Sequence, residues 1–128
     1  MSALSDYAEN KVLDVITGTA TFTAPATVYL GLSTASMNDD DSGTELSGNG
    51  YARVAVSFSA ASGGTTSNSA AIEFSAATGS WGTVTHWALY DASTAGNQLL
   101  NGAFSTGKAI ASGDVLKINT GDLDVTAS

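Results

Sequence analysis

Two hydrophobic periodicities divide the chain. Over residues 3–17, Leu4, Ala8, Val12 and Val15 recur at helical spacing on one face, with Tyr7 beside them. Asp6 and Glu9 lie near the N-terminal end, where the helix dipole favours acids, and Gly18 is placed to stop the helix. Leu13 points nearly opposite the main stripe. A helix that is apolar on two sides can touch both its own sheet and a neighbouring subunit, although a partly buried Leu at a helix edge is the commoner arrangement.

After Pro25 the period becomes two. Val28, Leu30 and Leu32 alternate with Tyr29 and Gly31, which predicts a half-buried strand. Val54, Val56 and Phe58 repeat the scheme with Arg53, Ala55 and Ser57 on the wet face, and Ile72 and Phe74 flank Glu73. Residues 80–92, SWGTVTHWALYDA, predict a long central strand with large side chains on both faces. Val84, His86, Ala88 and Tyr90 lie on one side, and Thr85, Trp87 and Leu89 on the other. Leu99, Leu100, Ala103 and Phe104 mark a further strand region, and residues 115–119 and 123–126 the last two.

Glycine supplies the punctuation, at Gly48 and Gly50, Gly63 and Gly64, Gly79, Gly96 and Gly113. Residues 34–50 and 60–69 read as two long polar loops. Several short strands separated by turns predict an all-β fold: a single-domain antiparallel β-sandwich, with a β-barrel as the alternative, carrying one N-terminal helix. In this division residues 1–18 form a helix packed on or beside the sheet, and residues 19–128 form the sandwich.

Composition agrees. The chain has 128 residues, one domain's worth, and 43% of them are hydrophobic, enough for a packed core. Much of the apolar set is Ala, interleaved with Ser, Thr and Gly, which suits thin, closely stacked sheets.

Charge narrows the partners. Twelve acids against four bases give a net charge of −8, so neither a duplex of phosphates nor an anionic membrane surface is an expected partner. There is no cysteine, hence no disulfide and no thiolate metal site or thiol catalysis. The opening MSALSDYAEN carries no basic segment or long apolar stretch of the secretory kind, and no window approaches a membrane span. The expectation is a soluble protein made in the cytoplasm and stabilised by packing and assembly.

No enzyme emerges from the candidate chemistry. The single histidine, His86, sits mid-strand between Thr85 and Trp87, where a hydrogen-bonded core or interface role is expected before a catalytic one. Asp91, Asp114, Asp122 and Asp124 lie beside turns or strand ends, where Asp commonly binds backbone N–H groups. No GxxxxGK phosphate cradle occurs, and no cofactor is implied.

The run Asn38, Asp39, Asp40, Asp41, followed by Gly43 and Glu45, is the one local charge cluster. Asp39, Asp41 and Glu45 are candidate cation ligands, but the alternating pattern of a helix-flanked calcium loop is missing, so a solvated acidic loop is expected. Asp39, Asp40 and Asp41 can instead meet a basic patch on a partner and fix its register. With Leu4, Tyr7 and Leu13 they form the candidate partner interface.

The opening SALSDYAENKVLDVITGTATFTAPATVYLGLST, the middle GYARVAVSFSAASGGTTSNSAAIEF, the stretch SWGTVTHWALYDASTAGNQLLNGAFST and the closing SGDVLKINTGDLDVT resemble a family of small tailed-phage virion proteins, often labelled tail fibre protein. The match extends over nearly the whole chain, and the tandem GYAR, SNSA, WGTVTH and LYDA signals carry it. The resemblance implies a virion structural role and brings no catalytic residues with it.

A head decoration (cement) protein on the outer capsid surface is the expected role. It would grip the major capsid protein and associate with its own copies, with a trimer suiting local three-fold capsid positions. One small acidic domain without a fibrous repeat suits that task. The rival is a tail-fibre or baseplate component that contacts tail proteins or a host receptor. Tyr51, Trp81 and Trp87 are its candidate binding aromatics if they are exposed; otherwise they fill the core. A glycan-processing enzyme would need two acids converging across a cleft.

Overall fold

Alternation over residues 80–92 becomes the middle strand of the main sheet. A computed structural model describes residues 2–127. In chain order the elements are β1 (Ser2–Leu4), α1 (Asp6–Ile16), β2 (Val28–Ser33), β3 (Val54–Val56), β4 (Thr65–Ser67), β5 (Ile72–Glu73), β6 (Gly82–Tyr90), β7 (Gln98–Ile110), β8 (Lys117–Ile118) and β9 (Asp124–Thr126). Five strands form an antiparallel sheet in the order β1-β7-β6-β2-β3, while β4 with β9 and β5 with β8 form two antiparallel ribbons.

Main sheet and ribbons share one core. Leu30 and Leu32 from β2, Trp87 and Leu89 from β6, and Leu99 from β7 meet Ile72 and Phe74, Leu116 and Ile118, and Leu123 and Val125 from the ribbon side. The fold is therefore all-β and antiparallel, as the alternation predicts, and its sheets do not close into a barrel. The second layer is split into ribbons because its apolar runs are short.

Polar side chains stitch the layers where strands are too brief. Asn68, buried to 1% exposure, accepts from the Leu123 N–H through Oδ1 at 2.9 Å and donates through Nδ2 to the Ala70 and Asn119 carbonyls. It thereby ties the β4–β9 ribbon to the approach of β5 and the exit of β8. Ser2 does the same for the first strand. Its hydroxyl donates to the Thr126 carbonyl and accepts from the Thr126 N–H, so β1 joins the main sheet to β9.

At four places the structure departs from the sequence reading. Leu4 is not on the helix: it lies in β1, paired with Leu100, because Ser5 caps α1 one residue later. Ser5 has extended backbone angles and its hydroxyl accepts from the Ala8 N–H, which fixes the helix start. Thr65–Ser67, inside the polar stretch 60–69, forms β4 against β9. Its Thr and Ser side chains carry no apolar signal; backbone pairing makes the strand, with the Thr66 hydroxyl donating to the Ser59 carbonyl beside it.

Val84 shares the main core with Trp87 and Leu89 rather than siding with Ala88 and Tyr90. The β6–β7 register shifts between Val84 and His86: Val84 faces Lys108 while His86 faces Ala103. Residues 104–107 of β7 thus bulge opposite Thr85, and the regular pairing of the two strands breaks there. The same bulge lets β7 run to Ile110, well beyond its apolar opening.

Candidate contact surface

Asp39, Asp40, Asp41, Glu45, Tyr51 and Asp91 lie where residues 34–53 and 91–97 come together beside the Ala88 and Tyr90 face of the main sheet. The long loop after β2 returns across the sheet. Leu46 N–H donates to the Leu32 carbonyl, the Ser33 hydroxyl donates to the Thr44 carbonyl, and Leu32 N–H donates to the Tyr51 hydroxyl at 2.9 Å. β2 groups lying beyond its pairing with β3 are thereby satisfied by the loop.

Arg53 locks the loop in place. Its guanidinium makes a bidentate ion pair with Glu45, at 2.8 Å from Nη2 and 2.9 Å from Nε, and lies flat on the Tyr90 ring. Nη1 donates to the Ala92 and Ala95 carbonyls, so one side chain holds both loops. Tyr51 completes the cluster by donating its hydroxyl to Glu45. The 91–97 loop is also tied from within, since the Asp91 carboxylate accepts from the backbone and side chain of Asn97. Burial pulls the Asp91 carboxyl upward, but the two Asn97 bonds outweigh it and hold it below the usual carboxylate value.

The acidic run is anchored rather than loose. Met37 is buried against Ala88 and Tyr90, the Asp39 carbonyl accepts from the Asp6 N–H, and the Asp39 carboxylate accepts from Asn101 at 2.8 Å. Gln98 donates through Nε2 to the Asn38 carbonyl at 2.9 Å. Asp40 and Asp41 remain exposed at the surface. Hydrogen bonds from Ser42 hold the Asp40 carboxyl below its ordinary value. Together with Asp6 and Tyr7, these three acids line an open cleft of about 280 Å³.

The structure therefore distributes the candidate residues as follows. Glu45 is committed to Arg53 and Tyr51, so Asp39, Asp41 and Glu45 are not assembled around one point. Among the described residues no group of three His, Asp or Glu side chains is placed to hold a metal. Leu4 is taken up by the β1–β7 pairing, and Tyr7 packs on the core and edge-on to Phe22. Leu13 remains 59% exposed.

Trp81 and Trp87 are both buried, and Trp81 Nε1 donates to the Asn49 carbonyl at 2.9 Å. Tyr51, half-buried, stacks on Phe74 and meets Trp81 edge-on, so the two tryptophans fill the interior and Tyr51 packs against it. His86 Nδ1 lies 2.7 Å from the Thr85 hydroxyl. Asp114 accepts from the Ala111 N–H at 2.9 Å and caps a turn.

The sequence reading missed two features. One is the Arg53 clasp, whose residues lie far apart in the sequence and whose only advance signal was a lone base inside an alternating strand. The other is the extent of the apolar face on α1, where Val12, Val15 and Ile16 are exposed together with Leu13. Among the described residues, no helix is long and apolar enough to cross a membrane.

A family model described as podophage GP4 fiber I protein gp80 matches residues 3–126, which is nearly the whole chain. No curated protein matches the chain.

Proposed function

The chain belongs to the family of the podophage GP4 fiber I protein gp80, a phage virion protein family of fibre type, and on that premise we propose that it is a non-catalytic fibre component on the outside of a tailed-phage particle. The observation that carries this reading is the match from residue 3 to residue 126, which takes in α1, both loops of the sheet end and every strand but the first residue of β1. Function then resides in the whole folded module presented to its neighbours.

The engagement of four of the candidate ionisable side chains supports the non-catalytic part. Glu45 is held by Arg53, Asp91 by Asn97, Asp114 by a turn and His86 by Thr85. A general base or nucleophile would need to face a substrate rather than be spent on the fold.

Head decoration is the second reading, with the major capsid protein as partner and a trimer as the assembled form. The net charge of −8 and the single small fold without a fibrous repeat favour it.

Immunogold labelling of intact particles with antibody against this chain tests the two together. Label on projecting fibres is the expected result. Label spread evenly over the head selects decoration, and label that appears only after particles are disrupted contradicts both.

A further inference from the structure

Among the described residues, apart from Val115, every large apolar side chain that the fold leaves substantially exposed lies between residues 12 and 22. These are Val12, Leu13, Val15, Ile16 and Phe22. Leu13 and Ile16, at 59% and 75% exposure, form the crest. Concentrated patches of this kind mark contact surfaces, whereas scattered apolar side chains do not. The ridge runs on into residues 17–27, which carry no charged side chain and are exposed along almost their whole length.

Ala8 is the only buried residue of α1, and an 11-residue helix does not persist in water on its own hydrogen bonds. What holds it lies at its N-terminal end. Ser5 N–H donates to the Leu99 carbonyl at 2.9 Å, Asp6 N–H donates to the Asp39 carbonyl at 2.9 Å, and the Ser5 hydroxyl bonds the Gln98 carbonyl. The helix is thus fixed at one end and offers an apolar crest at the other.

Charge selects the occupant. Glu9 and Asp14 lie beside the ridge along α1, while Asp6, Asp39, Asp40 and Asp41 gather at the anchored N-terminal end of the same helix. Of the four bases, Arg53 is locked to Glu45, Lys11 lies over the Tyr7 ring, and Lys108 and Lys117 line a separate cleft between β7 and β8. A second copy offering the same face would set acids against acids, with −8 on each chain.

We propose that the outer face of α1 is received, as a helix in a groove, by a different protein of the particle whose apolar groove is rimmed by Lys and Arg. This rests on the reading of the chain as a particle component.

The test uses the full chain and particles purified from phage that lack it. Wild-type protein binds these particles saturably, and more weakly as NaCl is raised. The L13S/I16S variant keeps the wild-type melting temperature and binds at least about tenfold more weakly; E9K/D14K also loses affinity. Equal binding by L13S/I16S overturns the inference while leaving the fibre reading intact. So does a wild-type oligomer, seen by light scattering, that L13S/I16S dissociates, because a second copy then covers the ridge. Binding indifferent to salt and to E9K/D14K overturns the basic rim. Failure of wild-type protein to bind at all overturns the fibre reading, and the inference with it.

Discussion

Arg53 stacks on Tyr90 with its guanidinium carbon 3.4 Å from the ring centroid, and the same guanidinium grips Glu45 through two nitrogens. Planar stacking and a bidentate fork are both properties of Arg that Lys lacks. The pair also joins the loop before β3 to the turn between β6 and β7, so the outer end of the sheet depends on it.

Removing Arg53 leaves Glu45 without its cation in a site where the Arg side chain is only 8% exposed. Arg53→Ala is expected to cost about 2–4 kcal/mol in urea unfolding, and Arg53→Lys to recover only part of that. In a double-mutant cycle with Glu45→Ala the two losses should be strongly non-additive. Simple additivity would show that the ion pair holds nothing.

Gly31 is enclosed by the same cluster. A Cβ at this position would stand 2.7 Å from Glu45 Oε2, 2.9 Å from Tyr90 Cε2 and 3.1 Å from the Tyr51 hydroxyl. Gly31→Ala is expected to destabilise by about 1–3 kcal/mol through overpacking. Combined with Glu45→Ala, which removes one of the three obstacles, its added cost should shrink. Thermal melts of the single and double variants measure this directly.

The cluster also predicts an alkaline limit. Burial first, and then the negative charge of Glu45, push the Tyr90 phenol up to about 12, against the opposing charge of Arg53. Burial and the Glu45 hydrogen bond carry Tyr51 upward as well. A phenol whose pKa is raised in the folded state favours folding fully below pH 10, and that contribution is lost as pH rises toward 12. Urea midpoints should therefore fall between pH 10 and 12, and Tyr90→Phe should make the fall less steep. An identical slope in the variant would contradict the assignment.

Legibility in the sequence followed side-chain chemistry. Val28, Leu30 and Leu32, and the run from Val84 to Tyr90, announced their strands through β-branched, aromatic and aliphatic side chains, but burial does not alternate along them: Leu30–Ser33 and Trp87–Tyr90 are covered on both faces, because the 34–53 loop lies over the face that carries Tyr90. Thr65–Ser67 gave no such signal because its strand rests on backbone bonds to β9. Val84 lies in the main core although strict alternation puts it on the side of Ala88 and Tyr90, and the β6–β7 pairing is irregular at that point, which the sequence of β6 alone does not show. Leu13 stood out as an apolar position off the main stripe of α1, where partial burial at the helix edge is the commoner outcome, and it is instead 59% exposed. The neighbouring exposure of Val12, Val15 and Ile16 could not be read, since helical spacing shows which residues share a face and not what covers it.

A fibre component must sit on the outside of the particle. An electron cryomicroscopy reconstruction of the intact particle is the most direct measurement. Density on the particle exterior that fits the five-stranded sheet with its two ribbons, with α1 against a neighbouring protein, is the predicted result. Particles that contain no copy of the chain, or that hold it inside against the packaged DNA, would contradict the account.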